Sequence, residues 1–208
     1  MAKRSEIELL LVRSGRTDWE EQGRLQGHAD LPLGESGRSA LIANLNHLLG
    51  ANGGVSLGHV LSAPDEASRE TARLLGERTG AKVRVNESLR AIKLGLWEGL
   101  PDDQLTERYA RSYKAWREDP ASANPPEGEP FVAGQVRILT ALLRAMEKAT
   151  GPIGVVLRPL EYGLVRGVIL KHPTSKLWPL VEDGPLTDRV SVDPSVIRGV
   201  LEQLKAKA

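Results

Sequence analysis

Ile7-Glu8-Leu9-Leu10-Leu11-Val12-Arg13-Ser14-Gly15-Arg16-Thr17 is the stretch whose reading decides the fold. Four consecutive apolar residues, Leu9 to Val12, with Ile7 just upstream, do not alternate with polar ones, which is the pattern of a strand covered on both faces. The run stops at the polar turn Arg13-Ser14-Gly15-Arg16, at the carboxyl end of that strand. Ligands of open α/β sheets sit at such ends, so this turn is the first candidate for chemistry.

Outward from it, apolar residues at Leu41, Ile42, Leu45, Leu48 and Leu49 predict a helix over Ser36 to Leu49. Gly50 closes it, and Asn52-Gly53-Gly54 makes a flexible connection. His59 to Ala63 reads as a short buried strand. A helix follows with Pro64 at its first position and Asp65 and Glu66 in the first turn, running to about Gly80. Lys82 to Val85 is a further strand. Pro101-Asp102-Asp103 starts a helix that carries Trp116 near its end and stops at Asp119-Pro120. After a Pro/Ala/Asn loop from Ala121 to Pro126, a long amphipathic helix shows Val136, Leu139, Leu142, Leu143 and Met146 on one face and ends at Gly151-Pro152. Ile153 to Leu157 is the next buried strand, and Arg158-Pro159-Leu160-Glu161 opens a helix. Leu186 to Val192 makes a last strand and Pro194 begins a terminal helix. Strands alternating with helices imply a three-layer α/β/α sandwich with a mainly parallel sheet. One domain over 1–208 is expected, with 99–130 as a helical insertion over the cleft.

Composition bounds the function. A chain of 208 residues, 40% hydrophobic, suits one substantial core. The 28 Lys and Arg against 27 Asp and Glu leave a net charge of +1, which argues against a general binder of nucleic acid or other polyanions. No cysteine is present, which removes disulfides, thiolate metal sites and cysteine nucleophiles. Met1 to Ser5 includes basic residues, but the apolar run behind them is too short for a signal segment, and no stretch approaches a membrane span. A soluble cytoplasmic protein is expected.

The opening strand and turn, the loop Arg24-Leu25-Gln26-Gly27-His28-Ala29-Asp30-Leu31-Pro32-Leu33, the segment Leu89-Arg90 followed by Gly95-Leu96-Trp97-Glu98-Gly99, and Pro125-Pro126-Glu127-Gly128-Glu129-Pro130 together resemble the histidine phosphatase superfamily, the phosphoglycerate-mutase-like proteins. The resemblance implies that fold. It also implies a mechanism in which an imidazole attacks phosphorus, two arginines and a second histidine hold the phosphoryl oxygens, and a glutamate protonates the leaving oxygen.

Carried over residue by residue, the pattern meets changed groups at four positions. Ser14 stands at the nucleophile position, and a hydroxyl is a poor nucleophile without a base. Arg158 stands for the second histidine, and a guanidinium cannot relay protons near neutrality. The glutamate falls on Ala91, and the second phosphate arginine falls on Ala67. Arg69, two residues further, turns roughly 200° to another helix face. Arg166 lies further from its strand than the pattern places an arginine. Only Arg13 matches, with Arg24 in the loop beside it.

Two readings of Arg13, Arg16, Arg24 and Arg158 stay open. In one they form, with Ser14, a site for a phosphate-like anion or an acidic group of a partner. In the other they pair with internal carboxylates such as Glu129 or Glu161 and fill the cleft. Among the histidines, His28 is the one near the turn, and loop packing is its more ordinary role; His47 lies within a helix, His59 opens a strand and His172 precedes a proline. Neither a metal site nor a cofactor is expected. Trp19, Trp97, Trp116 and Trp178 are dispersed, without the basic stripe a nucleic-acid surface needs. The expectation is therefore a catalytically inactive member, a pseudoenzyme with a binding, regulatory or partner-subunit role, partnership with an active relative in an oligomer included. The alternatives are a weak or altered phosphatase of small phosphate esters, with Ser14 or His28 in a new role, and a purely structural subunit with an occluded cleft.

Overall fold

The computed structural model describes residues 6–50 and 54–207. The basic residues of 1–5 and the connection at Asn52 and Gly53 lie outside the described residues. Strand β1 (Ile7–Arg13) pairs in parallel with β4 (Ile153–Leu157) and antiparallel with β5 (Thr187–Val192). Beyond β4 come β2 (His59–Ser62) and β3 (Lys82–Val85), both parallel, so the five-stranded sheet has the order β3-β2-β4-β1-β5. β1 thus lies between neighbours and is covered on both faces, as its unbroken apolar run requires.

Because successive side chains on a strand point to opposite faces, β1 feeds two cores. Leu10 and Val12 pack with Leu41, Leu45 and Leu75 under helices α2 (Glu35–Leu49) and α3 (Glu66–Thr79). Leu9 and Leu11 pack with Leu139, Leu142, Val165 and Ile197 under three later helices on the opposite face. Those are α6 (Phe131–Lys148), α7 (Pro159–Ile169) and α9 (Pro194–Lys207). The remaining helices are α1 (Asp18–Glu21), α4 (Asp102–Arg108), α5 (Ala110–Glu118) and α8 (Leu177–Glu182). Helices on both faces of a mainly parallel sheet make the expected α/β sandwich.

Several local expectations are corrected. Pro64 does not open α3; Asp65 is its N-cap, accepting from the Ser68 amide at 2.9 Å, and the helix begins one residue later. The single helix expected from Pro101 is two, broken at Tyr109, whose backbone leaves helical geometry at φ −131. The tryptophans dispersed along the chain are gathered in space. Trp97 meets Trp116 edge-on at 5.4 Å and Tyr113 at 5.5 Å, and Trp116 contacts Trp178 at 4.5 Å. Trp19 alone stays apart, lying over Gly99. Among the described residues no helix is long and apolar enough to cross a membrane.

Candidate functional site

The turn after β1 is held from three sides. The Ser14 amide donates to the Leu157 carbonyl at 2.8 Å, carrying the β1–β4 ladder one residue past the strand. The Gly15 amide donates to Thr71 Oγ1 at 3.1 Å, and the Gly34 amide to the Arg16 carbonyl at 2.9 Å. Gly37 at the start of α2 lets that helix approach the turn, because a Cβ there would come within 2.8 Å of the Arg16 backbone nitrogen. Thr17 then caps α1 in a capping box, its hydroxyl taking the Glu20 amide while Glu20 Oε2 takes the Thr17 amide at 3.0 Å.

That box aims Glu20 at the neighbouring strand end. Arg158, the N-cap residue of α7 and 3% exposed, forms an ion pair with Glu20 Oε1 at 2.6 Å. Its other contacts are a hydrogen bond to Gln26 Oε1 and one to Ser14 Oγ at 3.3 Å. The ends of β1 and β4 thus lie side by side, with Arg158 laid over a fully buried Ser14. Arg13 is also buried; one of its nitrogens donates to the Val181 carbonyl at 2.9 Å, and its Nε has no hydrogen-bond partner among the described residues. Burial, with Arg16 nearby, pulls its guanidinium below the usual arginine range.

Arg13, Glu20, Gln26 and Arg158 line a cleft of about 290 Å³, whereas Ser14, expected among the anion-binding groups, is buried behind Arg158 and off its lining. Arg13, Arg16, Arg24 and Arg158 stand on it with Glu20 and Gln26, while Leu25, Ile92, Leu94, Leu160, Trp116 and Trp178 give it an apolar part. At its rim Arg117 pairs with Glu182 at 2.7 Å and covers the Trp178 ring. Arg24 donates to the Gly99 carbonyl at 2.8 Å, tying the first loop to the Gly-Leu-Trp-Glu-Gly segment. Glu98 completes that tie, one oxygen accepting from the His28 and Leu94 amides at 3.0 and 2.9 Å.

Several residues singled out in the sequence are engaged elsewhere. His28 Nε2 is bonded to the Ala91 carbonyl at 2.8 Å, which gives that ring a packing role in the loop. Ala67 is buried and Arg69 exposed on α3, on different faces. Arg166 pairs with Asp188 at 2.7 Å, outside the cleft lining. The carboxylates expected to neutralise the arginines are not the ones used. Glu129 is spent on Arg137 at 2.6 Å, and Glu161 forms no ion pair among the described residues. Glu20 takes that place. The Thr17-x-x-Glu20 capping signature could have located it, but nothing in the spacing reveals a pairing with a residue 138 positions away. Among the described residues no group of three or more potential ligands is placed to hold a metal ion.

Glu161 lies at the cleft in the first turn of α7, 1% exposed. Its Oε1 accepts from the Ile92 amide at 2.8 Å, and its Oε2 is buried with no hydrogen-bond partner among the described residues. Burial pushes its carboxyl up to about 7, against the smaller opposing pull of the Ile92 amide and Arg158. The unfolded chain holds this carboxyl near 4.5, so between about 4.5 and about 7 the folded state binds the extra proton and stability falls as pH rises. The full difference is about 3 kcal/mol. Urea midpoints of the wild type should therefore drop between about pH 5 and about pH 8 by more than those of Glu161→Gln. Equal slopes would mean that the carboxyl titrates as in water.

A five-stranded, mainly parallel sheet with helices on both faces matches the phosphoglycerate-mutase-like fold. Residues 9–178 match the histidine phosphatase superfamily (branch 1), and the chain belongs to that family. It is 35% identical over 180 residues to the glucosyl-3-phosphoglycerate phosphatase of Mycobacterium tuberculosis, an overlap covering 82% of this chain and 78% of that one. The structure of the mycobacterial enzyme with inorganic phosphate superposes with a TM-score of 0.66 at 30% identity, over 82% of each chain. The alpha-ribazole phosphatase of Shigella flexneri gives 0.69 at 28% identity, over 83% of this chain and 84% of that one.

These relatives overturn the expectation of an inactive pseudoenzyme with a binding, regulatory or partner-subunit role. Proteins this similar over this much of the chain are named phosphatases, which points to an enzyme of phosphate esters. The expectation weighed histidines and Arg69 as stand-ins for the changed groups but gave no carboxylate outside the motif a part in the chemistry. Folding brings Glu20 and Glu161 to the same cleft from outside the motif.

Proposed function

We propose that the protein is a phosphatase that hydrolyses small phosphate monoesters in the cleft at the ends of β1 and β4. The observation that carries this reading is the set of guanidiniums, Arg13, Arg16, Arg24 and Arg158, on one small cleft. Charge-assisted hydrogen bonds from such groups suit a phosphoryl dianion and strengthen as charge builds in the transition state. The apolar part, with Leu25, Leu160 and Trp178, suits the organic half of an ester. Residues 99–130, read as an insertion in a single domain, contribute Trp116 and Arg117 to the same cleft.

Serine and arginine stand at 14 and 158, where the family pattern places imidazoles. Ser14 is covered by Arg158 and His28 is bonded to Ala91, so neither serves as nucleophile in this reading. Water attacks phosphorus directly, its oxygen bonding to phosphorus as the ester P–O bond breaks. Glu20, the carboxylate held against Arg158, takes the water's proton.

The test is phosphate release from a panel holding glucosyl-3-phosphoglycerate, alpha-ribazole phosphate and 3-phosphoglycerate, the first two chosen for the substrates in the names of the relatives. Release from at least one is expected, lowered roughly 10²-fold or more in Arg13→Ala. No phosphoryl group should stay on acid-quenched protein. Absence of release from every ester ends the reading, and a trapped phosphoenzyme ends its direct-water step.

A further inference from the structure

We propose that Glu161 is the proton donor to the leaving oxygen of the ester hydrolysed in this cleft, a role that rests on the phosphatase reading above. The placement of its two oxygens carries the inference. Oε1 is fixed by the Ile92 amide at 2.8 Å, and Oε2, the other end of this buried carboxyl on the cleft, has no hydrogen-bond partner among the described residues. A buried oxygen without a donor is costly as a carboxylate and far less so as a hydroxyl, so the geometry holds the acid in its protonated form until a basic oxygen arrives. Ile92 follows Ala91, where the family pattern would supply a carboxylate. The α7 carboxyl reaches the backbone beside that methyl from the other side of the cleft.

The charged groups around Glu161 leave its proton in place. Arg158, on the same helix, has its charge drawn to Glu20, and Asp65 at the start of α3 adds repulsion. Arg13 stands on the same cleft and Arg137 is engaged by Glu129 and the carbonyls of Ser88 and Arg90. Its carboxyl, raised to about 7 chiefly by burial, lies in the range where a donor is both protonated and willing to give the proton up. In the step itself the Glu161 O–H bond breaks and a new O–H bond forms on the ester oxygen as that oxygen leaves phosphorus. The carboxylate regains its proton from solvent, while Glu20 releases to solvent the proton taken from the attacking water.

Glu161→Gln keeps the volume and the acceptor for the Ile92 amide but removes the proton. Its rate is compared with the wild type on an alkyl ester, glycerol 1-phosphate, and on an activated aryl ester, p-nitrophenyl phosphate, whose leaving oxygen needs no proton. The expected loss is roughly 10²- to 10⁴-fold on the alkyl ester and under about tenfold on the aryl ester, with the alkaline limb near about pH 7 missing from the variant's profile. Equal losses on both esters, or an unchanged limb, overturn the proposal. Should the wild type cleave neither of these esters nor any ester of the panel above, the phosphatase reading fails separately; whenever these two esters are not cleaved, with or without turnover of the panel, sulfate affinity tests Glu161. Sulfate stays a dianion across about pH 5.5 to about pH 8.5, so its affinity for the wild type should fall through about pH 7 as Glu161 ionises, while that of Glu161→Gln changes less. The same pH dependence in both proteins, or no decline in the wild type, overturns a protonated Glu161 facing the anion.

Discussion

Arg158→Ala is expected to lower phosphate release by roughly 10²- to 10³-fold, the scale of losing a preorganised donor to a developing oxyanion. The loss has two sources that act together. The phosphoryl oxygens lose a buried guanidinium, and Glu20, now without its 2.6 Å partner, turns an uncompensated negative charge toward the substrate. The same truncation leaves Gln26 and Ser14 without the hydrogen bonds that Arg158 gives them, and the unfolding free energy should fall by about 2–3 kcal/mol. Glu20→Gln added to Arg158→Ala removes the stranded charge, so stability should partly return while phosphate release does not. Lysine at 158 should recover little, because a point charge cannot reach Glu20, Gln26 and Ser14 with one planar fork. Full activity in Arg158→Ala would remove this residue from the phosphate clamp.

The fold was largely legible because its signals are local. An apolar run in β1, a helical stripe in α2, and proline or glycine at element ends each report on neighbours within a few residues. The two misread helix boundaries were likewise local competitions. Asp65 out-competed Pro64 by offering a side-chain acceptor, and Tyr109 broke a segment whose composition is uniformly helical.

The site was legible only in part, and the reason is distance along the chain. Arg13 and Arg158 were placed correctly at two strand ends because each strand is visible in its own window. Which carboxylate would meet them depended on the capping box that turns Glu20 inward. Glu161 was weighed as a neutraliser of the arginines, whereas the structure gives it a backbone amide and no ion pair among the described residues. A motif comparison records what stands at a fixed position, and a cleft is filled by whatever side chain reaches it. The absence of a carboxylate at Ala91 was therefore weak support for the absence of a proton donor.

Trp97→Ala carries the largest expected change in stability, about 3–5 kcal/mol, or roughly 10–15 °C in Tm. Trp97 is fully buried and is touched by Tyr109, Tyr113 and Trp116, so truncation opens a cavity walled by rigid rings that cannot collapse into it. Its backbone site is equally constrained: Gly95, two residues earlier, sits at φ +55, and a Cβ there would strike the Pro126 carbonyl. The loop therefore has little freedom to refill the space. Trp19→Ala is the control, since that ring is only half-buried and outside the cluster, and it should cost well under half as much. Because Trp116 and Trp178 extend the same cluster into the cleft lining, the damage should also reach the substrate. KM for an ester with a bulky organic group should rise more than KM for a small one, since both rings face the part of the cleft that takes that group. A Trp97→Ala protein as stable as the wild type would mean that the cluster fills space without holding the helices 102–118 against the sheet.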